Sequence, residues 1–471
     1  MDRVSRRNFL RIAGGTAASA VLAACAPAVS PNPAPSAGTP VAATTAPSLA
    51  PTFSVQAANI RFSMFTAPPW EPFIQKYLDG YAKRQDKVKV KFEPFDFGTY
   101  FTNLQTGLAS GDPPDAFLLV HFNMDKYVKQ GAVEPLDDYV KRDNYDLSVF
   151  NPTSVNFTRM GGPMYGIGWS IDSSGVFYNK DLFDKMGVAY PPKDGKWDWN
   201  DYREKAKAMT TLKSDGSFDT VGTTLWLNMN TDLPVDSLYA NGGMQINDNE
   251  DFTKTLIGDP KAREAIKFAM DLVLKDKVAQ KGDSANTIQW IEQFTSGRYA
   301  MHWGFVNSTA NFTGTPFTWD MAPLPVSPTT GIRKSSPNPN SYVMAKASKN
   351  KDAAWDFLKW LGDGSEENSP QTVWVRDIHQ LVPYSALNDK YWLLEKQQKD
   401  GFDRSVGLNS LKDHWRYPHF PGYDEWYVAL GVELVKVWEG VDEDKAIDNA
   451  VAVGDKILKD NPTPKGWVYT G

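Results

Sequence analysis

From residue 59 onward the hydrophobic pattern switches between the period of a strand and the period of a helix. Residues 59–65 alternate as a strand, and the loop Thr66-Ala67-Pro68-Pro69-Trp70 follows. Residues 73–84 read as a helix with Phe73, Tyr77 and Tyr81 on one face. KVKVKFE, residues 87–93, alternates as a strand with one buried face does. Residues 99–110 are helical and stop at Gly111, and Asp112-Pro113-Pro114-Asp115 turns the chain. Residues 116–120 form a continuous apolar run, as in a strand buried on both faces. Strand, helix, strand, helix, strand predicts a parallel sheet, and ligands of such sheets sit beyond the carboxyl ends of the strands. That rule nominates residues 66–70, Asp96 with Phe97, and His121 to Asn123.

The stretch GGPMYGIGWSIDSSGVFYNKDLFDKMGV, residues 161–188, divides into strand, strand and helical turn. The strands are 164–169 and 174–179; the turn, 181–186, closes on Gly187. Trp169, Ser170 and Asp172 between the strands offer an indole, a hydroxyl and a carboxylate, in a segment read as a crossing between two lobes. Beyond it, Asp198 caps a helix over 199–212 with Asp201 in its first turn. Residues 221–227 are a strand leading to Asn228-Met229-Asn230. Pro260 starts a helix to about residue 277, 288–296 is another, and 298–303 is a strand. Residues 350–361 form a helix whose Trp355 and Trp360 read as packing residues.

The amino terminus carries targeting chemistry rather than fold. SRRNFLR, residues 5–11, resembles a twin-arginine export signal. A short apolar stretch of small residues follows and ends in Leu22-Ala23-Ala24-Cys25, which resembles a bacterial lipobox. That reading makes residues 1–24 a signal peptide and Cys25 the lipidated first residue of the mature chain; a removed signal residue or an idle thiol are the alternatives. Cys25 is the only cysteine, which excludes a disulfide and a thiolate metal cluster. Residues 25–57 are rich in Ala, Pro, Thr and Ser without charge, as a disordered tether would be.

YGIG, then FYNKDLFDKMGV, Pro191-Pro192 and Trp197 resemble the family 1 extracellular solute-binding proteins of ABC importers. GGMQIND, FTSGRYAMHWG, WDMAPLPVSP and SYVMAKASKNKDAAWDFLKWL extend the resemblance over most of the chain after the tether. The resemblance implies an α/β, two-lobed periplasmic-binding-protein fold of the class II type, its lobes joined by two or three crossing segments. It makes 161–188 the first crossing and 341–361 the return to the first lobe. It places Asp172, six residues before Tyr178, in the sugar site of the maltodextrin-binding branch. PHFPGYDEW, residues 418–426, resembles the start of a carboxyl-terminal helix where that branch stacks an aromatic residue on sugar. One departure concerns the site: where the family has glycines before SYVMAKAS, this chain has Pro337-Asn338-Pro339-Asn340. The expected division is 58–172 for the first part of lobe 1, 173–310 for lobe 2, 311–370 for the return to lobe 1, and 371–471 for a helical part mainly on lobe 2.

Composition narrows the chemistry. The 471 residues are 13% aromatic with 16 Trp, and the net charge is -6 with no basic stripe, which argues against a nucleic-acid partner. No GxSxG, HExxH, GxxxxGK[ST] or GxGxxG is present, and the five histidines, 121, 302, 379, 414 and 419, lack metal-ligand spacing. No catalytic residue, metal or cofactor is assigned. What remains suits recognition of a polyol, whose C–H faces pack on rings and whose hydroxyls need donors and acceptors. Candidate stackers are Trp70, Trp169, Trp226, Trp303, Tyr423 and Trp426. Candidate polar partners are His121, Asn123, Asp172, Asn230 and Asn340. Each Trp fits a core role as readily, and Asp172 fits a turn cap. The expectation is a monomeric, lipid-anchored extracytoplasmic protein that binds a sugar or oligosaccharide and delivers it to ABC permease subunits by hinge closure. A binder of another solute (polyol phosphate, polyamine) and a secreted carbohydrate-active enzyme are the alternatives.

Overall fold

A computed structural model describes residues 55–67, 69–230, 232–247, 252–281, 290–312, 314–393, 402–464 and 467. The signal segment, Cys25, nearly all of the tether and the first two residues of the helix expected at 288–296 lie outside them.

Among the described residues, ten strands form two five-stranded sheets. The first contains β1 (Ala58–Phe65), β2 (Val88–Phe95), β3 (Ala116–Leu119), β4 (Ile167–Ser170) and, from far along the chain, β10 (Asn340–Met344), in the order β2-β1-β3-β10-β4. β1 runs parallel to β2 and β3, as the strand–helix alternation predicts. β10 enters antiparallel between β3 and β4. All four β3 residues are buried, which is why that strand reads as an unbroken apolar run.

The second sheet contains β5 (Ser174–Asn179), β6 (Thr211–Leu212), β7 (Phe218–Thr223), β8 (Tyr299–Phe305) and β9 (Trp319–Ala322), in the order β6-β7-β8-β5-β9. The chain therefore leaves the first sheet between β4 and β5, as expected. It does not return at residue 311: β9 pairs with β5 in the second sheet, and the return comes between β9 and β10. The apolar pattern of WDMAPLP fits either sheet, and only the pairing decides. The carboxyl-terminal part is also divided. Helix Pro370–Val373 packs on helix Glu71–Arg84 of the first lobe, whereas Glu443–Asp460 packs on Pro260–Leu274 of the second.

Local signals set several boundaries. Asp198 and Asp201 form a reciprocal capping box at the start of helix Trp199–Ala208. That helix ends four residues earlier than its pattern suggests, because Thr211 pairs with Thr220 as β6. Gly111 ends helix Phe97–Ser110 at a φ of 77°, a conformation that a side chain would strain. Trp355 and Trp360 are buried, their indoles donating to Asp143 Oδ2 at 2.9 Å and the Tyr77 carbonyl at 2.9 Å.

Candidate functional site

Three features lie at the junction of the lobes: an aromatic wall, a polar knot, and two buried carboxyl groups, Asp172 on the first crossing and Asp236 on a helix of the second lobe.

The wall is built at the carboxyl ends of the first-lobe strands. Trp70, at the start of helix Glu71–Arg84, meets Trp374 edge-on at 5.6 Å. Trp374 meets Trp169 of β4 at 5.2 Å, and Trp169 meets Phe65 of β1 at 5.6 Å. Phe65 continues to Phe97 at 5.0 Å, Phe97 to Phe101, and Phe101 to Phe122 at 5.9 Å. Phe122 ends the run against Tyr427 of helix Tyr423–Leu434, at 6.1 Å. Phe97 is 53% exposed, so part of the wall is open. Trp169 is buried, yet its indole N–H has no acceptor among the described residues. Trp226 is 37% exposed, in the irregular segment after β7. The strand-end rule finds Phe97 and Phe122. Trp374, placed by a π-helical turn at Trp374–Ile378, carries no such signal in the sequence.

The knot joins three of the nominated polar residues. His121 donates its backbone N–H to Asn340 Oδ1 at 3.1 Å, and its ring Nδ1 lies 3.3 Å from the same oxygen. Ring Nε2 lies 3.2 Å from Asn230 Nδ2, and Asn230 Oδ1 accepts from the Tyr417 hydroxyl at 2.6 Å. Burial holds the His121 imidazole down to about 4, so it is neutral near pH 7. Asn123 stands apart: its Oδ1 accepts from the Val120 N–H at 3.2 Å and closes a local turn.

Of the two carboxyl groups, Asp172 sits on the first crossing and Asp236 reaches the second through Ser336. Asp172 Oδ1 accepts from the N–H groups of Ser173, at 2.8 Å, and Asn307, at 3.0 Å. Its own N–H donates to the Pro337 carbonyl, and its carbonyl accepts from His414 Nε2 at 2.8 Å. Asp172 thus ties the first crossing to the second and to the carboxyl-terminal segment. Burial is the main cause that pushes its carboxyl up to about 8. Asp236, on helix Asp232–Ala240, accepts from Trp303 Nε1 at 3.1 Å, Trp415 Nε1 at 2.9 Å and the Ser336 hydroxyl at 2.8 Å. Burial pushes it to about 6. Asp236 has no signal in the sequence, one acid among 56.

Several nominated aromatic residues lie away from the wall. Trp303 gives its N–H to Asp236 and packs edge-on to Tyr202 at 5.6 Å. Trp426 gives its N–H to Thr255 and, with Tyr423, packs around Phe420, both fully buried. On these contacts Trp303, Tyr423 and Trp426 serve the packing of the second lobe and the carboxyl-terminal helices. Among the described residues no group of His, Asp, Glu or Cys is placed to hold a metal ion, and no helix is long and apolar enough to cross a membrane.

Comparison with known proteins agrees with this architecture. The sequence profile of the bacterial extracellular solute-binding proteins matches residues 67–363. An ABC substrate-binding protein of Listeria monocytogenes, solved in complex with cycloalternan, superposes with a TM-score of 0.75 at 26% identity, covering 86% of this chain and 99% of that one. The maltose/maltodextrin-binding domain of Bdellovibrio bacteriovorus, bound to maltotriose, superposes at 0.70 and 16% identity, over 85% and 100%. The arabinooligosaccharide-binding protein of Bacillus subtilis is 24% identical over 341 residues, 69% of this chain and 73% of that protein.

Proposed function

Because the chain belongs to the bacterial extracellular solute-binding proteins, and has their two-lobed α/β fold, we propose that it binds a sugar or oligosaccharide between its lobes and delivers it to an ABC permease. The observation that carries this reading is the aromatic wall from Trp70 to Tyr427, lying beside a polar knot with no charged member. Rings offer faces to sugar C–H groups. A site that bonds hydroxyls rejects analogues lacking them, because its own buried groups are then left unpaired. The solutes named for the similar proteins, cycloalternan, maltotriose and arabinooligosaccharides, are all carbohydrates and support the same class. Phe97, with the half-buried Phe65, Trp70 and Phe122, is the proposed stacking surface, backed by the buried Trp169 and Trp374; Trp226 is a further candidate, and Asp172 positions the crossing.

Delivery works by hinge closure: the solute favours the closed arrangement by as much as it binds that arrangement better. Cys25 carries the lipid that holds the protein at the extracytoplasmic face of the membrane, after export by the twin-arginine route. The test is a thermal-shift screen of residues 58–471 against mono- and oligosaccharides, polyols and sugar phosphates. A solute that binds only the folded state raises the melting temperature with its concentration. A rise with one sugar series and no product on chromatography supports the reading. Turnover of the hit replaces it with an enzyme, and a flat panel removes the assignment to sugars.

A further inference from the structure

Asn340 belongs to the first sheet and Asn230 to the second lobe, and His121 stands between them. The polarity of this chain of bonds follows from one unambiguous donor. A backbone N–H can only donate, so the Asn340 atom 3.1 Å from the His121 nitrogen is the oxygen, and the amide nitrogen turns to Ser170 Oγ at 2.9 Å. Ring Nδ1 faces that same oxygen and must therefore carry the proton. In a neutral ring Nε2 is then an acceptor, and it takes the Asn230 amide N–H. Asn230 Oδ1 is left for the Tyr417 hydroxyl, whose ring stacks on Trp415 at 5.4 Å, and Trp415 reaches Asp236. Hydrogen bonds run from the first sheet to Tyr417, and a ring stack carries the contact on to Trp415 and Asp236.

We propose that His121, as the neutral Nδ1-protonated imidazole, is a latch that holds the two lobes against each other. It is a positioning residue, acting on the lobes and through them on solute affinity; that last consequence rests on the binding reading above, whereas the latch does not. Replacing the ring removes one bond between lobes. An ordinary hydrogen bond in a protein favours the bonded arrangement by roughly three- to tenfold, and the closed-to-open ratio falls accordingly.

Protonation has a definite direction. A proton on Nε2 points at the Asn230 N–H, so donor meets donor and the latch opens. The titratable neighbours are Tyr417, His419 and Asp172. His419 Nδ1 lies 3.0 Å from Asp125 Oδ2, and Asp172 lies beyond Asn338, which neighbours both Asp172 and His121. With the imidazole held to about 4, the neutral form prevails at pH 7 and is lost as the pH falls through that value.

The test is small-angle scattering of the solute-free protein, wild type against His121→Leu and Asn230→Ala, with circular dichroism to verify folding. The Asn230→Ala variant removes the same bond from the other side and carries the test if the His121 variant does not fold. At pH 7 both variants should be more expanded than wild type. Between pH 5.5 and pH 4 wild type should expand, while Asn230→Ala changes little. Variants that scatter like wild type at pH 7, or an Asn230→Ala protein that expands with acid as wild type does, overturn the latch. No solute is present, so a failed sugar screen leaves this result standing. Sugar binding with unaltered scattering discards the latch alone.

Discussion

Replacing Asp172 by Asn tests the central claim about the crossing, that its carboxyl group is neutral at physiological pH. The side chain is 2% exposed, and a single oxygen receives both nearby backbone N–H groups. Asn338 also bonds this carboxyl group, a contact that favours the ionised form, and burial outweighs it. Burial raises the group from the usual carboxylate range to about 8. Between about pH 4 and pH 8 the folded protein then holds a proton that the unfolded chain has released. Each pH unit in that window costs wild type about 1.4 kcal/mol, or roughly 5 kcal/mol in all. The sign is fixed: a raised carboxyl stabilises the fold at low pH, and that contribution is lost as the pH rises through the folded value. Asn is the neutral isostere of the protonated acid and does not titrate. Urea unfolding of both proteins at pH 5, 7 and 9 measures the difference directly, because contributions from the other groups cancel between them. The Asn variant should exceed wild type by about 1.5 kcal/mol at pH 5 and by about 5 kcal/mol at pH 9. An Asn variant weaker than wild type at every pH by a constant margin would refute the reasoning. It would show that the two N–H groups outweigh burial and keep Asp172 ionised.

Other consequences are simpler to state. Asp236→Ala leaves the Trp303 and Trp415 indoles and the Ser336 hydroxyl without their acceptor; unfolding free energy should fall by about 3–5 kcal/mol in urea melts. Phe97→Ala removes a ring that is largely exposed, so stability should move by less than about 1 kcal/mol while calorimetry shows solute affinity falling about tenfold. Gly222→Ala would put a methyl group 2.1 Å from the Ala206 carbonyl oxygen, and the backbone shift this forces should cost about 3 kcal/mol or more in a thermal melt. On the proposed anchoring, Cys25→Ala should abolish incorporation of labelled fatty acid, since Cys25 is the only cysteine.

Much of the first lobe is legible without coordinates. Period-two and helical patterns mark β1, β2, β3 and the helices between them, because each element buries one face and the spacing of apolar residues records which. The rule for strand ends also finds Phe97, Phe122 and His121, because the sheet is parallel there. The Asp198 cap and the Gly111 stop are visible for the same local reason: their chemistry is completed within a few residues.

Tertiary structure alone decides the rest. Whether β9 joins the first or the second sheet depends on pairing with β5, 142 residues apart where Tyr178 meets Asp320, and no local pattern encodes it. Trp303 looks like a ligand residue in the sequence, yet its N–H meets Asp236, 67 positions away. Trp374 joins the wall through a π turn that leaves no periodic trace. The sequence by itself determined the two kinds of layer and the aromatic, polar character of the first-lobe strand ends, because these follow from local burial and composition. Which indoles join the wall, which carboxyl ties the crossings together and which histidine bonds to both lobes were decided by contacts between distant segments, and the energy of those contacts is set only when the chain is folded.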